Sequence, residues 1–294
     1  MRERAVQFGT DVVHTGILCE PADAAAAEGR PVCLMLNAGL IHRVGPNRLH
    51  VNLARALAAA GYPSLRFDMS GRGDTDVRTD GETFVKSGIR ETQSAMDYLE
   101  QLRGARRFVP MGICSGAHDA IRTAMVDTRI VGAVLIEFYV YPTPAHRMWH
   151  YLRRVTNAGS WADTLAGRNA LGHSLRRRLG LQSGGYVEEP SREDLGGTTE
   201  GFILPRQEVD AALKTVADRG TELCFVYAGA SGMCNYRGQL YDAYPSLRGH
   251  GQIRVAFFAG ADHTFTRLDY QRELIDTVTR FMPSTDRAHL RVAS

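Results

Sequence analysis

Residues 109–117 read Val-Pro-Met-Gly-Ile-Cys-Ser-Gly-Ala, and no other stretch of the chain restricts its possible folds so tightly. An apolar run from Arg107 to Met111 leads into Gly112 and Gly116 with Cys114 midway between them, and a helix-forming run, Ala117 to Arg122, follows at once. That order is strand, tight turn, helix. A residue at the apex of such a turn holds strained backbone, so the positions two before and two after it must be nearly free of side chain. The spacing nominates Cys114. Ser115 fits less well, because its flanking positions would be Ile113 and Ala117. Its backbone N–H, at the positive end of the following helix, is instead placed to meet a developing negative charge. The opposing reading makes Cys114 an inert buried thiol, the ordinary fate of a free cysteine.

Composition narrows the setting. With 294 residues, 44% hydrophobic and 23% charged, the chain can bury a large core as a single globular body. Its five cysteines are an odd number without a Cys-x-x-Cys pair, which argues against a disulfide scaffold or a structural zinc site and for a reducing cytoplasm. Neither a secretion signal nor an apolar run of about eighteen residues is present, so export and membrane insertion are not expected. The net charge is +3, with Lys86 and Lys214 the only lysines, and no nucleic-acid partner is implied.

Strand-like apolar runs at residues 32–36, 64–67, 108–111, 131–136, 223–227 and 253–258 alternate with helical patterns at 47–60, 84–102, 117–126, 207–218, 238–247 and 268–281. This is the signature of an α/β fold, a mostly parallel sheet flanked by helices. Residues 5–8 and 12–18 read as an antiparallel pair ahead of it, and the four alanines 24–27 as a surface loop or short helix. The alternation breaks once, between Glu137 and Gln207. That interval of roughly seventy residues is too long for a plain connection. We therefore expect a core of residues 1–141 and 206–294 interrupted by an inserted helical cap, residues 142–205.

With the Cys114 turn on the third parallel strand, the chain resembles the α/β-hydrolase superfamily over nearly its whole length outside the cap. Asn37-Ala38-Gly39-Leu40 stands where such hydrolases carry a His-Gly-like turn, and Asp68-Met69-Ser70-Gly71-Arg72-Gly73-Asp74 resembles their Asp-x-x-Gly-x-Gly turn. Gly260-Ala261-Asp262-His263-Thr264-Phe265 places a histidine past the last strand. The run from Asn37 to Arg48, together with residues 260–265, is more narrowly similar to hydrolases of exosortase-associated and other biosynthetic gene clusters. The resemblance implies Cys114 as nucleophile, His263 as base, and an oxyanion hole made by the N–H of Ser115 with that of Gly39 or Leu40.

The chain departs from the superfamily at the acid. The usual carboxylate follows the penultimate strand, where Ser231 stands instead. Glu137, at the end of the strand after the Cys114 turn, is the best substitute; Asp262, adjoining the histidine, is a poorer one, and a dyad without acid is the third option. A thiol flanked by a histidine and a helix N-terminus ionises readily and tolerates a missing acid. Cysteine also exchanges readily with thioesters, so we expect an acyl hydrolase or acyltransferase of thioesterase type, without cofactor or metal. His146 and His150 have helical ligand spacing but lack a third partner. His42, Arg43 and Arg48, beside the oxyanion turn, are candidates for holding a substrate carboxylate or phosphate, and Trp149 lies in the cap among basic residues. Those basic residues fit a small or carrier-bound acyl substrate, with an acyl carrier protein or coenzyme A as partner. His118 is read as packing beneath the nucleophile. The alternative class is a non-hydrolytic member of the fold, a lyase, isomerase or small-molecule-binding protein, with Cys114 a bystander.

Overall fold

In a computed structural model of the chain, describing residues 1–146, 148 and 205–283, eight strands form one sheet in the order β1-β2-β4-β3-β5-β6-β7-β8. The strands are β1 (Arg2–Phe8), β2 (His14–Glu20), β3 (Val32–Met35), β4 (Ser64–Phe67), β5 (Phe108–Ile113), β6 (Gly132–Ile136), β7 (Glu222–Ala228) and β8 (Ile253–Phe258). β1 and β2 run antiparallel, and every pairing from β4 to β8 is parallel. Between and after the strands lie the helices α1 (Leu49–Ala59), α2 (Phe84–Arg103), α3 (Ser115–Val126), α4 (Arg206–Asp218), α5 (Gln239–Ala243) and α6 (Leu268–Phe281).

Parallel strands covered by helices on both faces read as unbroken apolar runs. Accordingly, every residue of β3, β4, β5 and β6 is buried. Leu49, Leu53 and Leu57 of α1 and Leu274 and Val278 of α6 share one core cluster with Met35, Val109, Met111 and Val134 of the sheet. The chain divides into a unit of Met1–Val140 with Arg206–Ser294, and a second of Tyr141–Pro205. Most of the expected cap, Trp149 included, lies outside the described residues.

Several boundaries differ from expectation for local reasons. α1 starts at Leu49 rather than at 47, because Asn47 and Arg48 are both left-handed, with φ of 50° and 61°. The helix expected over 238–247 is α5 followed by a separate 3-10 turn, Pro245–Leu247. Pro245 has no N–H to donate and pushes Tyr244 out of the helical region, to φ −127° and ψ 81°. The alanine run forms a 3-10 turn, Ala25–Ala27.

The turn between β5 and α3 positions the site. Cys114 lies at φ 55° and ψ −111°, a region that L residues rarely enter. The glycines around it leave no room for a side chain: a Cβ on Gly112 would sit 2.3 Å from the carbonyl carbon of Gly116, and one on Gly116 would sit 2.7 Å from the carbonyl oxygen of Asn37. Both neighbours are backbone and cannot swing away. Gly116→Ala is therefore expected to destabilise the protein by about 2–3 kcal/mol, read as a lowered Tm; an unchanged Tm would mean that the turn is looser than described.

Candidate active site

Register brings the chemistry together at the C-terminal edge of the sheet. Ile113 of β5 pairs with Ile136 of β6, and Ile136 with Val226 of β7, so Cys114 and Glu137 leave neighbouring strands at the same level. The Cys114 N–H donates to the Ile136 carbonyl at 2.9 Å, and the Glu137 N–H to the Val226 carbonyl at 2.8 Å. Glu137 is itself left-handed, φ 53°, and its carboxylate is fully buried. Each oxygen has a partner: Oε1 accepts the Ala228 N–H at 2.6 Å, and Oε2 lies 3.0 Å from Nδ1 of His263. His263, on the loop after β8, also lies near enough to the Cys114 side chain for the thiol to bear on its protonation. Since Nδ1 is committed to Glu137, Nε2 is the nitrogen left for sulfur.

These two partners, Cys114 first and Glu137 second, outweigh the desolvation of the ring and raise the His263 pKa from 6.5 to about 10. The linkage follows in sign. Stability contributed by the charged imidazole is present below about pH 6.5 and is lost as pH rises through about 10.

The other cysteines are chemically quiet. Cys19, Cys33, Cys224 and Cys234 are buried, whereas Cys114 is half-buried. Burial pushes the Cys224 and Cys234 thiols up to about 12, and raises those of Cys19 and Cys33. Cys114 alone combines exposure with a histidine partner and the N-terminus of a helix, α3.

Ser231 and Asp262 serve their own loops. Ser231 Oγ donates to the Ala228 carbonyl at 2.8 Å and accepts the Met233 N–H at 3.2 Å. Asp262 accepts the Thr266 N–H at 2.9 Å, and backbone donors of this kind lower its pKa. His118 packs against Phe138, ring centroids 4.6 Å apart and planes tilted by 36°, and burial lowers its pKa to about 3. It is therefore neutral across the physiological range.

Two of the expected substrate-binding side chains are occupied elsewhere. Arg43 binds Asp68 and Asp74 with its guanidinium, the latter at 2.6 Å, and its backbone N–H donates to Asp68 Oδ1 at 2.6 Å. His42 Nε2 lies 3.6 Å from Asp68 and 3.5 Å from Asp74. The physical reason is Asp68, a fully buried carboxylate at the end of β4 that must collect donors, and that also holds Asn37 Nδ2 at 3.0 Å. Both residues tie the segment after β3 to the loop after β4. His42, Asp68 and Asp74 also place their ligand atoms within 4.8 Å of one another, but the Arg43 guanidinium sits on both carboxylates where a cation would compete. Arg48 remains exposed on the left-handed segment before α1. That segment is held by Asn47, whose Nδ2 donates to the Thr264 carbonyl at 3.3 Å, next to His263.

The expected oxyanion donors divide. Ser115 is the first residue of α3, so its N–H has no carbonyl partner within the helix. Leu40 is exposed. The Gly39 N–H is not open: it donates to Ser115 Oγ at 2.7 Å. Sequence reasoning missed this bond, and only the register of two distant turns creates it.

No protein-family model and no curated protein matches the sequence. Solved structures do. An esterase of Pyrococcus furiosus superposes with a TM-score of 0.60 at 15% identity, covering 95% of this chain and 89% of its own. A proline iminopeptidase of Mycobacterium smegmatis gives 0.62 at 17% identity over 98% and 100% of the two chains. A thioesterase domain from the curacin biosynthetic pathway gives 0.55 at 17% identity over 95% and 99%. With the strand order above, these likenesses establish that the chain has the α/β-hydrolase fold.

Proposed function

We propose that the protein is a cysteine-dependent acyl hydrolase or acyltransferase, thioesterase-like, working through an acyl-enzyme on Cys114. The observation that carries this reading is the meeting of Cys114, His263 and the buried Glu137 at the sheet's C-terminal edge, with Nδ1 of His263 3.0 Å from Glu137 Oε2. Cys114 attacks the acyl carbonyl as its thiolate, and the sulfur–carbon bond forms as the carbonyl π pair moves onto oxygen. Collapse breaks the bond to the leaving thiol or alcohol, which takes a proton from the His263 imidazolium. In the second half, water or an acceptor gives its proton to His263 and attacks the thioester, and Cys114 leaves. Glu137 holds Nδ1 so that Nε2 faces the reacting atoms. The α3 N-terminus with the Ser115 and Leu40 N–H groups faces the developing oxyanion.

The names of similarly folded proteins, an esterase and a thioesterase domain, accord with acyl chemistry. Resemblance of residues 37–48 and 260–265 to gene-cluster hydrolases points to a biosynthetic setting, with a small or carrier-bound acyl substrate. No helix among the described residues is long and apolar enough to cross a membrane, which accords with action in the cytoplasm. The non-hydrolytic alternative drew its support from the missing acid after β7, and Glu137 at 3.0 Å from Nδ1 supplies one from β6.

Matched thioesters and oxygen esters of one acyl group test the reading. We expect thiol release from the thioester at the higher kcat/KM, accelerated by hydroxylamine if deacylation limits turnover. Absence of release from every acyl donor, with the protein folded, would contradict it.

A further inference from the structure

The bond between two distant turns carries a role for a side chain that the mechanism above uses only through its backbone. Ser115 Oγ accepts the Gly39 N–H at 2.7 Å. Among the described residues it has no acceptor for its own proton, although Ser115 is nearly buried at the start of α3. A hydroxyl whose lone pair is engaged by an N–H becomes a stronger donor, since chained hydrogen bonds polarise one another. Gly39 occupies the turn from which α/β-hydrolases are expected to draw their second oxyanion donor, and here that donor is spent on an oxygen one residue after the nucleophile. We propose that the Ser115 hydroxyl is itself an oxyanion donor, with the Gly39 N–H positioning and polarising it rather than meeting the substrate.

The assignment rests on acyl transfer at Cys114 as described above. When the Cys114 sulfur–carbon bond forms and the carbonyl π pair moves to oxygen, Ser115 Oγ–H donates a hydrogen bond to that oxygen and keeps its proton. The oxyanion then receives the Ser115 N–H and O–H together. Leu40 remains available as a third donor. A rival role is equally concrete: the hydroxyl plugs the Gly39 N–H and must move aside for substrate.

Two electrophiles separate these roles. Alkylation of Cys114 by iodoacetamide displaces iodide at a tetrahedral carbon and develops no oxyanion, whereas acylation by p-nitrophenyl acetate does. In Ser115→Ala we expect acylation to slow by at least about tenfold, the freed Gly39 N–H recovering part of a loss that reaches a hundredfold for a single donor elsewhere. Alkylation should stay within about twofold of the parent protein, and thermal unfolding should show the variant folded. Acylation at the parent rate or faster would overturn the assignment in favour of the plug, and an equal fall in both reactions would reduce Ser115 to a support for the turn. If the parent protein alkylates at Cys114 but is never acylated, the acyl-transfer reading itself fails, an outcome distinct from the other two.

Discussion

Replacement of Cys114 by alanine is expected to remove acyl turnover to the level of the uncatalysed reaction while leaving the protein folded. The change takes away a sulfur that is half-exposed at the start of α3, so it opens no large cavity and should shift Tm by little. Backbone strain at φ 55° is set by the surrounding turn and persists with alanine. Serine at the same position is the sharper comparison. A hydroxyl attacks only with a base that removes its proton, whereas a thiol ionises on its own near neutral pH. Because a serine depends wholly on a well-oriented base, Cys114→Ser should lose on the order of a hundredfold or more in kcat/KM. Turnover assays on the folded variants check both. Substantial activity in the alanine variant would remove Cys114 from the chemistry.

Glu137→Gln should bring the next largest loss, on the order of a hundredfold or more in the acylation rate. The Ala228 N–H fixes one side-chain oxygen as an acceptor, so the glutamine amide nitrogen replaces Oε2 and faces Nδ1 of His263. An amide donor there requires Nδ1 to accept, which leaves the proton on Nε2 and the ring unable to act as base toward the substrate. The pH profile carries a second signature. His263 titrates near 10 because Cys114 and Glu137 both favour its cation, and loss of one partner must lower that value. The alkaline limb of the kcat/KM profile should accordingly move to lower pH in Glu137→Gln. If the pair of Cys114 and His263 sufficed alone, the loss would stay under about tenfold, and an unchanged rate and profile would strike Glu137 from the mechanism.

What could be read in the sequence was local. The Gly112–Cys114–Gly116 spacing reports a turn whose sterics act within a few residues, and the structure places Gly112 against Gly116 as that reading requires. Alternating apolar runs reported the parallel sheet because each strand must be buried on both faces. Glu137 was legible because a strand end fixes where a residue stands, and Ile113 pairing with Ile136 sets its level. The pairing of His42 and Arg43 with carboxylates was not legible. Their ion pairs depend on Asp68, which is fully buried at the end of another strand, and a cation near a site reads the same in sequence whether free or paired. The same holds for Gly39 and Ser115, which are 76 residues apart in the chain and meet only when β3 and β5 pair. Asn47 and Arg48 likewise carry no glycine signal for their left-handed backbone; the clamp of Asn47 on Thr264 holds it there.

The central claim is a covalent bond between an acyl group and the Cys114 sulfur. Rapid quenching of the full chain during reaction with an acyl thioester, followed by intact mass and peptide mapping, reads that bond directly. A mass gain of one acyl group is expected, localised to the peptide that contains Cys114, absent in Cys114→Ala and slow to form in Glu137→Gln. An acyl group found on another residue, or thioester cleavage by the Cys114→Ala protein at the parent rate, would contradict it.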